Sequence, residues 1–276
     1  MTQMLIATIG IMVLITQPLV TFSIGIETGG PQFRALKPAL GFRYFLATFV
    51  VMPALAILLG VLMLPGALWS GLALMSMAPP APPATRQLKK RGNLDVGLAW
   101  QAIAFLIAVV TIPATIAIVE RLGLVSQDLN LTWGQMLGRS ALFFAGPMLL
   151  GLVTRRYLPA VADALAKPVG VAANVALAVL VLLILVVAVP VIWRFGIASI
   201  AIVAAFVAIA IVVGHLLGGP GRDTRVTLAA MLAARFPVPA LVLAQANGAT
   251  KAILPVVLVY IIAGAILVPL YDRSTR

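Results

Sequence analysis

The sequence predicts an all-α polytopic membrane protein, and composition, segment length and residue pattern each support that fold class. Of the 276 residues, 63% are hydrophobic and 9% are charged, and the mean hydropathy is +1.16. Soluble domains are about 45–50% apolar and about 25% charged. The apolar stretches run for about 20 residues, the length of a transmembrane helix, without the alternation of a membrane β-strand. Several helices are therefore expected to lie in a lipid bilayer.

The basic charge of the chain is interpreted as a topology signal. A formal net charge of +12 could indicate nucleic-acid binding in a soluble chain. In membrane proteins, Lys and Arg concentrate in cytoplasmic loops, so no nucleic-acid partner is predicted. The absence of cysteine excludes thiol chemistry. The apolar run that begins at Leu5 lacks a basic leader and is interpreted as a first span, not as a signal peptide.

Nine apolar segments follow one another and predict a single transmembrane transporter domain. They cover, to within a few residues, 4–27, 39–63, 67–91, 96–119, 134–154, 168–189, 196–217, 227–249 and 252–271. If the N-terminus lies outside and the C-terminus in the cytoplasm, most of the 19 Lys and Arg residues fall on the inner side. This topology is expected in a bacterial inner membrane.

Two proline clusters interrupt the third and eighth segments. Their sequences are Pro79-Pro80-Ala81-Pro82-Pro83 and Arg235-Phe236-Pro237-Val238-Pro239. Proline removes a backbone donor, and backbone freed inside a bilayer must be satisfied by protein or by a water-lined cavity. Paired interruptions indicate an inverted-repeat transporter with a midplane binding site, although two structural kinks would also fit. The second cluster has fewer prolines and more N–H donors, so it is predicted to be the better anion cradle.

The residues around these clusters resemble the bile acid/sodium symporter superfamily, whose members move organic anions. One similar stretch is "SGLALMSMAPPAPPATRQLKKRGNLDVGLAWQAIAFLIAVVTIPAT", and the other is "GRDTRVTLAAMLAARFPVPALVLAQ". The similarity extends over nearly the whole chain in span order and lacks only the first span of the family's ten-helix form. It implies a panel domain at about 4–27, 134–154 and 168–189, and a core domain at about 39–119 and 196–271.

The side chains that bind sodium in that family are largely replaced here. The family carries a Ser-Asn pair after the first interruption, where this chain has Ala84 and Thr85. Met231 stands near a family Glu, and Arg235 near a family Gln. A cation placed 4–8 Å from Arg235 would be repelled by about 2–4 kcal/mol at an effective dielectric constant near 20. We therefore expect a degenerate sodium site, no metal ion and no cofactor.

Arg235 is the strongest candidate site residue, because an arginine inside a span usually faces a cavity or a partner. It could be a tethered cation at the sodium position, pair with a substrate carboxylate, or snorkel to the cytoplasmic interface. The other candidate substrate-binding residues are Thr85, Arg86, Gln87, Gln101 and Phe236. Gln17, which precedes Pro18, is expected to satisfy backbone freed by that proline. Glu27 is considered for proton coupling, but an interfacial position is favoured.

These features predict a secondary transporter of a small organic anion that works by alternating access at two crossed, interrupted helices. Sodium independence is expected, which leaves a uniporter, an exchanger or a potential-driven carrier. One alternative is a sodium-coupled symporter with ion sites built from backbone. Another is a receptor or scaffold that does not transport. No catalytic motif is recognised, so an enzyme is not predicted. The sequence leaves the substrate, the direction and the oligomeric state open.

Overall fold

The computed structural model describes residues 2–62, 66–82, 84, 92–121, 133–246 and 250–275, and all regular elements within those ranges are helices. The helices are α1 (Thr2–Glu27), α2 (Gly30–Ala35), α3 (Pro38–Leu62), α4 (Ala67–Met77), α5 (Leu94–Arg121), α6 (Trp133–Ser140, Ala141–Ala145 and Gly146–Tyr157), α7 (Pro159–Phe195), α8 (Ile197–Leu217), α9 (Arg222–Ala233), α10 (Val238–Ala246) and α11 (Thr250–Ser274).

Seven of the described helices are long and apolar enough to cross a membrane, namely α1, α3, α5, α6, α7, α8 and α11. The prediction of an all-α protein with membrane-spanning helices is therefore confirmed. The third and eighth predicted segments contain the shorter helices α4, α9 and α10. A total of nine spans stays a prediction.

The outward faces of the long helices are apolar. Leu182 on α7 exposes 59% of its surface and Leu150 on α6 exposes 60%. Contiguous apolar surface of this kind is rare on soluble monomers. Because these side chains belong to helices of spanning length, they form the surface that contacts lipid.

Several helices depart from regular α-geometry without ending. A π-helical turn occupies Leu46–Val51 within α3, and another occupies Ala141–Ala145 within α6. Such turns are often found near functional sites. The sixth predicted segment began at residue 168, but α7 begins at Pro159, since proline is favoured in the first helical turn. Pro168 lies inside that helix.

Two helices, α1 and α11, each pack against several others. Helix α1 packs most extensively against α6 and α7, whereas α11 packs against α4, α8, α7 and α9. The contact of α1 with α6 depends on Gly25 and Gly151. A Cβ on Gly25 would lie 2.5 Å from the carbonyl oxygen of Met148, and a Cβ on Gly151 would lie 2.6 Å from that of Phe22. Larger residues would therefore force these two helices apart.

The proline clusters coincide with two non-helical segments. Helix α4 ends at Met77, and residues 78–81 follow in non-helical conformation, here called the first interruption. Helix α9 ends at Ala233, and residues 234–237 separate it from α10, here called the second interruption. The two segments lie side by side, and α11 contacts the helices that lead into both.

Candidate functional site

The two interruptions pair with each other as antiparallel extended backbone. The N–H of Phe236 donates to the carbonyl oxygen of Pro79 at 2.9 Å. The N–H of Ala81 donates to the carbonyl oxygen of Ala234, also at 2.9 Å. Backbone that the helices leave unpaired is thus satisfied by the other interruption. We call this paired region the crossing.

Arg235 lies at the crossing and binds the ends of two helices. Its Nε donates to the carbonyl oxygen of Leu232 at 3.1 Å, and its Nη1 donates to that of Ala78 at 2.8 Å. These carbonyl groups stand at the C-terminal ends of α9 and α4, where the helix dipoles concentrate partial negative charge. One guanidinium therefore compensates both helix ends.

The guanidinium of Arg235 is buried and incompletely paired. The residue exposes 2% of its surface, which contradicts the snorkelling interpretation. No carboxylate lies within ion-pair distance of it in the described parts of the chain. Its Nη2 has no hydrogen-bond partner among the described residues. The crossing therefore carries a net positive charge with one donor left over.

Two further side chains complete the crossing. The hydroxyl of Tyr260, on α11, donates to the carbonyl oxygen of Leu232 at 3.0 Å and lies close to the guanidinium. Gln101, on α5, donates from Nε2 to the carbonyl oxygen of Pro80 at 3.1 Å. Both side chains are buried. A helix outside each interruption therefore contributes a donor to it.

An aromatic row leads away from the crossing. Phe236 packs against Phe105 with ring centroids 5.6 Å apart, and Phe105 packs against Phe144 at 6.2 Å. Phe144 belongs to the π-helical turn of α6 and lines a cavity of about 410 Å³ between α1, α5, α6 and α10. We call it the larger cavity. Arg235 itself is not among the described lining residues of this cavity.

The larger cavity has an apolar wall that includes Val13, Ile112, Met136, Phe143, Pro239 and Val242. Its polar lining consists of Gln17, Ser140 and Gln245. Gln17 exposes 1% of its surface, and neither its Oε1 nor its Nε2 has a hydrogen-bond partner among the described residues. Gln17 was expected to satisfy backbone near Pro18, and this was wrong. The Thr21 hydroxyl donates to the carbonyl oxygens of Gln17 and Pro18, whereas the carbonyl group that loses its helical donor at Pro18 is that of Leu14.

A second, much smaller cavity of about 10 Å³ lies toward the other ends of α1 and α5. We call it the polar cleft. Its polar lining consists of Ser23, Glu27, Gln101 and Asn174. The Ser23 hydroxyl donates to Oε1 of Glu27 at 3.1 Å. Glu27 also borders a polar depression that contains Arg155 and Arg156, so it stands between the cleft and that depression.

The structure places several predicted site residues together. Arg235, Phe236 and Gln101 meet at the crossing, beside Pro79 and Pro80. Among the other predicted prolines, Pro237 belongs to the second interruption, Pro82 lines the polar cleft and Pro239 lines the larger cavity. Pro83, Thr85, Arg86 and Gln87 lie outside the described residues. In the described part of the chain, no group of three His, Cys, Asp or Glu side chains could hold a metal ion.

Sequence reasoning missed Tyr260 and the unpaired amide of Gln17. The Tyr260 side chain reaches the crossing from a helix that continues past both interruptions, and its sequence surroundings carry no motif. Gln17 was noticed for its proline neighbour, although a glutamine in the middle of an apolar segment is itself a signal of a polar site. Phe105 and Phe144 were interpreted only as parts of apolar segments.

Seven described helices of spanning length define a polytopic membrane protein. Residues 8–195 match the model of the Sodium Bile acid symporter family, and the chain belongs to that family. The resemblance deduced from the sequence is thereby confirmed. The matched region includes the first interruption and ends before the second. A comparison with curated proteins finds no match. Family and fold together identify a membrane protein of a transporter family.

Proposed function

We propose that this protein is a secondary transporter of a small organic anion, and that it works by alternating access without sodium coupling. The observation that carries the proposal is the guanidinium of Arg235, bound to the carbonyl oxygens of Ala78 and Leu232. Two helix ends converge there, and a cation already occupies the space between them.

Sodium independence follows from competition for these oxygens. A sodium ion requires several oxygen ligands, and the converging helix ends could supply them only without Arg235. A second cation about 4 Å from the guanidinium would be repelled by about 4 kcal/mol at an effective dielectric constant near 20. In this proposal Arg235 permanently supplies the charge that sodium supplies to other members of the family.

The preference for an anion is supported by the incomplete pairing of Arg235. Its buried Nη2 lacks a partner among the described residues, and an unmade hydrogen bond of this kind costs about 1–3 kcal/mol. A substrate carboxylate would accept from it and would neutralise the crossing. The Phe105–Phe236 contact would have to open to admit the substrate.

Alternating access is supported by the two cavities. Both lie between the predicted panel (α1, α6 and α7) and the predicted core (α3, α4, α5 and α8 to α11). The first is lined by the middle of α1 and the C-terminal half of α5, and the second by the C-terminal end of α1 and the N-terminal part of α5; their volumes are about 410 Å³ and 10 Å³. One open and one nearly closed cavity are expected of one state in a two-state cycle. Opening the polar cleft would require the core to move relative to the panel. The topology we propose has the N-terminus outside and the C-terminus in the cytoplasm of a bacterium.

The test is uptake of a panel of carboxylates into proteoliposomes, with sodium or with choline as the external cation. We expect equal initial rates in the two salts. Arg235→Gln removes the charge and should reduce uptake at least tenfold, whereas Arg235→Lys should retain part of it. Arg273→Gln is the matched control, because Arg273 is exposed in the last turn of α11.

A steep sodium requirement would contradict the proposed coupling and favour a symporter with backbone ion sites. Normal uptake by a folded Arg235→Gln variant would remove Arg235 from the mechanism. Binding of a carboxylate without uptake would favour a receptor or scaffold.

A further inference from the structure

The larger cavity contains a buried polar group that neither the fold nor the crossing uses. Gln17 lies in the middle of α1 and exposes 1% of its surface. Neither its amide oxygen nor its amide nitrogen has a hydrogen-bond partner among the described residues. Buried side-chain amides are almost always paired in native proteins, and leaving one unpaired is destabilising. A retained, unpaired amide that lines a cavity is therefore a signal of a ligand.

A structural role for this amide is not supported by its surroundings. Pro18 has no N–H and so frees the carbonyl oxygen of Leu14, one helical turn earlier, but the Gln17 amide has no hydrogen-bond partner among the described residues. Gln17 lines a cavity of about 410 Å³, which is within the usual volume range of small-molecule sites. Both polar atoms of its amide are buried in this conformation, so the side chain must turn toward the cavity to pair with a ligand.

The lining of the cavity limits the chemistry of that ligand. Its described lining residues include no charged side chain, and Arg235 is not among them. A carboxylate held here would be desolvated without a cation, which is costly. A primary amide side chain offers a donor and an acceptor side by side, so its best partner is an uncharged group that also offers both.

We propose that the larger cavity binds an apolar ligand through an uncharged carboxamide group, which pairs with both Oε1 and Nε2 of Gln17. The apolar body of the ligand packs against Val13, Ile112 and Phe143. The binding site itself does not depend on the proposed transport function. Only the claim that this ligand is the transported substrate, the cargo, rests on it. In that case the cargo is an organic anion with a carboxamide remote from its charged end.

The experiment measures binding to the full chain in nanodiscs, with no transport step. The probes are 4-phenylbutanamide, its N,N-dimethyl derivative and 4-phenylbutyrate. We expect the primary amide to bind about tenfold more tightly than the dimethyl amide, because dimethylation removes both N–H donors, including the one that pairs with Oε1 of Gln17. We also expect it to bind more tightly than the carboxylate. These comparisons on the wild-type protein need no variant.

Gln17→Met keeps the length of the side chain and removes both polar atoms. We expect it to abolish the preference for the primary amide while leaving the melting temperature unchanged or raised. Thr16→Val is the matched control. The Thr16 hydroxyl is also buried and unpaired among the described residues, but Thr16 is not part of the cavity lining, so the preference should persist.

Equal binding of the primary and dimethyl amides would overturn the inference. So would loss of the preference in Thr16→Val, or preferential binding of 4-phenylbutyrate that Arg235→Gln abolishes and Gln17→Met does not. If the primary amide is preferred but proteoliposomes take up no carboxylate, the binding site is supported and only its role in binding the transported substrate is overturned. Failure of the proposed transport function is therefore distinguishable from failure of this site.

Discussion

The first and second interruptions look alike in sequence but contribute unequally to one hydrogen-bond network. The first supplies mainly acceptors, because its carbonyl groups at Ala78, Pro79 and Pro80 all accept from other segments. The second supplies the principal donors, the Phe236 N–H and the Arg235 side chain. Clustered prolines remove donors and leave carbonyls, so the partner segment must bring donors. Pairing of the two interruptions is thus a requirement of their sequences.

This asymmetry also shows why a cation is needed at the crossing. The carbonyl groups at the C-terminal ends of α4 and α9 both accept hydrogen bonds from the Arg235 side chain, and they concentrate partial negative charge. A neutral donor could satisfy one of these oxygens, but only a forked, charged group such as guanidinium reaches two and offsets both dipoles. Each of the following variants changes a donor, an acceptor or the packing of one interruption.

The largest expected effect is that of Arg235→Met, which removes the charged donor and leaves the acceptors in place. The carbonyl oxygen of Ala78 then loses its bond to the side chain at a buried position. We expect a loss of about 2–4 kcal/mol in the free energy of unfolding, because bonds to charged donors contribute about 1.5–3 kcal/mol each and relief of the buried charge offsets part of it. Denaturant titration in nanodiscs measures this.

Arg273→Met, at an exposed position, is the control for Arg235→Met and should unfold like the wild type. An Arg235→Met protein of wild-type stability would show that the acceptors of the first interruption do not need a cation.

A smaller effect is expected where α11 packs against the end of α9. A Cβ on Gly264 would lie 2.6 Å from the carbonyl oxygen of Ala233, just before the second interruption. Gly264→Ala therefore displaces backbone at the crossing and should cost about 1–3 kcal/mol, as overpacking usually does. The melting temperature and the rate of uptake should both fall, because the carbonyl oxygen of Leu232 moves with the C-terminal end of α9.

Two other glycines provide the comparison. On the side of the first interruption, a Cβ on Gly71 would lie 2.7 Å from Cβ of Val256, which side-chain rotation does not move. Gly71→Ala should therefore destabilise the protein by about 1–3 kcal/mol, as much as Gly264→Ala. Gly134 has open space around it, and Gly134→Ala should stabilise α6 by about 0.5–1 kcal/mol. A Gly71→Ala variant as stable as the wild type would show that α4 and α11 can separate where α9 and α11 cannot.

The sequence was most informative where a local signal exists. Proline clusters identify both interruptions, because proline cannot continue a helix whatever surrounds it. A charged residue within an apolar segment identifies Arg235 for a similar reason. The partners of Arg235 could not be predicted. Ala78 lies 157 residues away in the sequence, just after the end of α4, and a carbonyl oxygen becomes a site only when tertiary packing brings a donor to it. The unpaired state of Gln17 is likewise a property of its neighbours.

The smallest expected effects separate the neutral donors that serve the two interruptions. Gln101 serves the first, and Pro80 has no other described donor to its carbonyl oxygen. Tyr260 serves the second, but the carbonyl oxygen of Leu232 also accepts from Arg235 at 3.1 Å. A neutral hydrogen bond contributes about 1 kcal/mol net, and an acceptor left wholly unpaired costs more. Gln101→Leu should therefore destabilise the protein by about 1–2 kcal/mol and Tyr260→Phe by less than about 1 kcal/mol.

These two variants act as controls for each other, because both remove one buried donor from one helix. Unfolding curves of the single and double variants measure the difference, and the two losses should add because the donors serve different oxygens. If Tyr260→Phe is the more damaging, the tyrosine hydroxyl stabilises the guanidinium itself. The second interruption would then depend on α11 for its charge balance as well as for its packing.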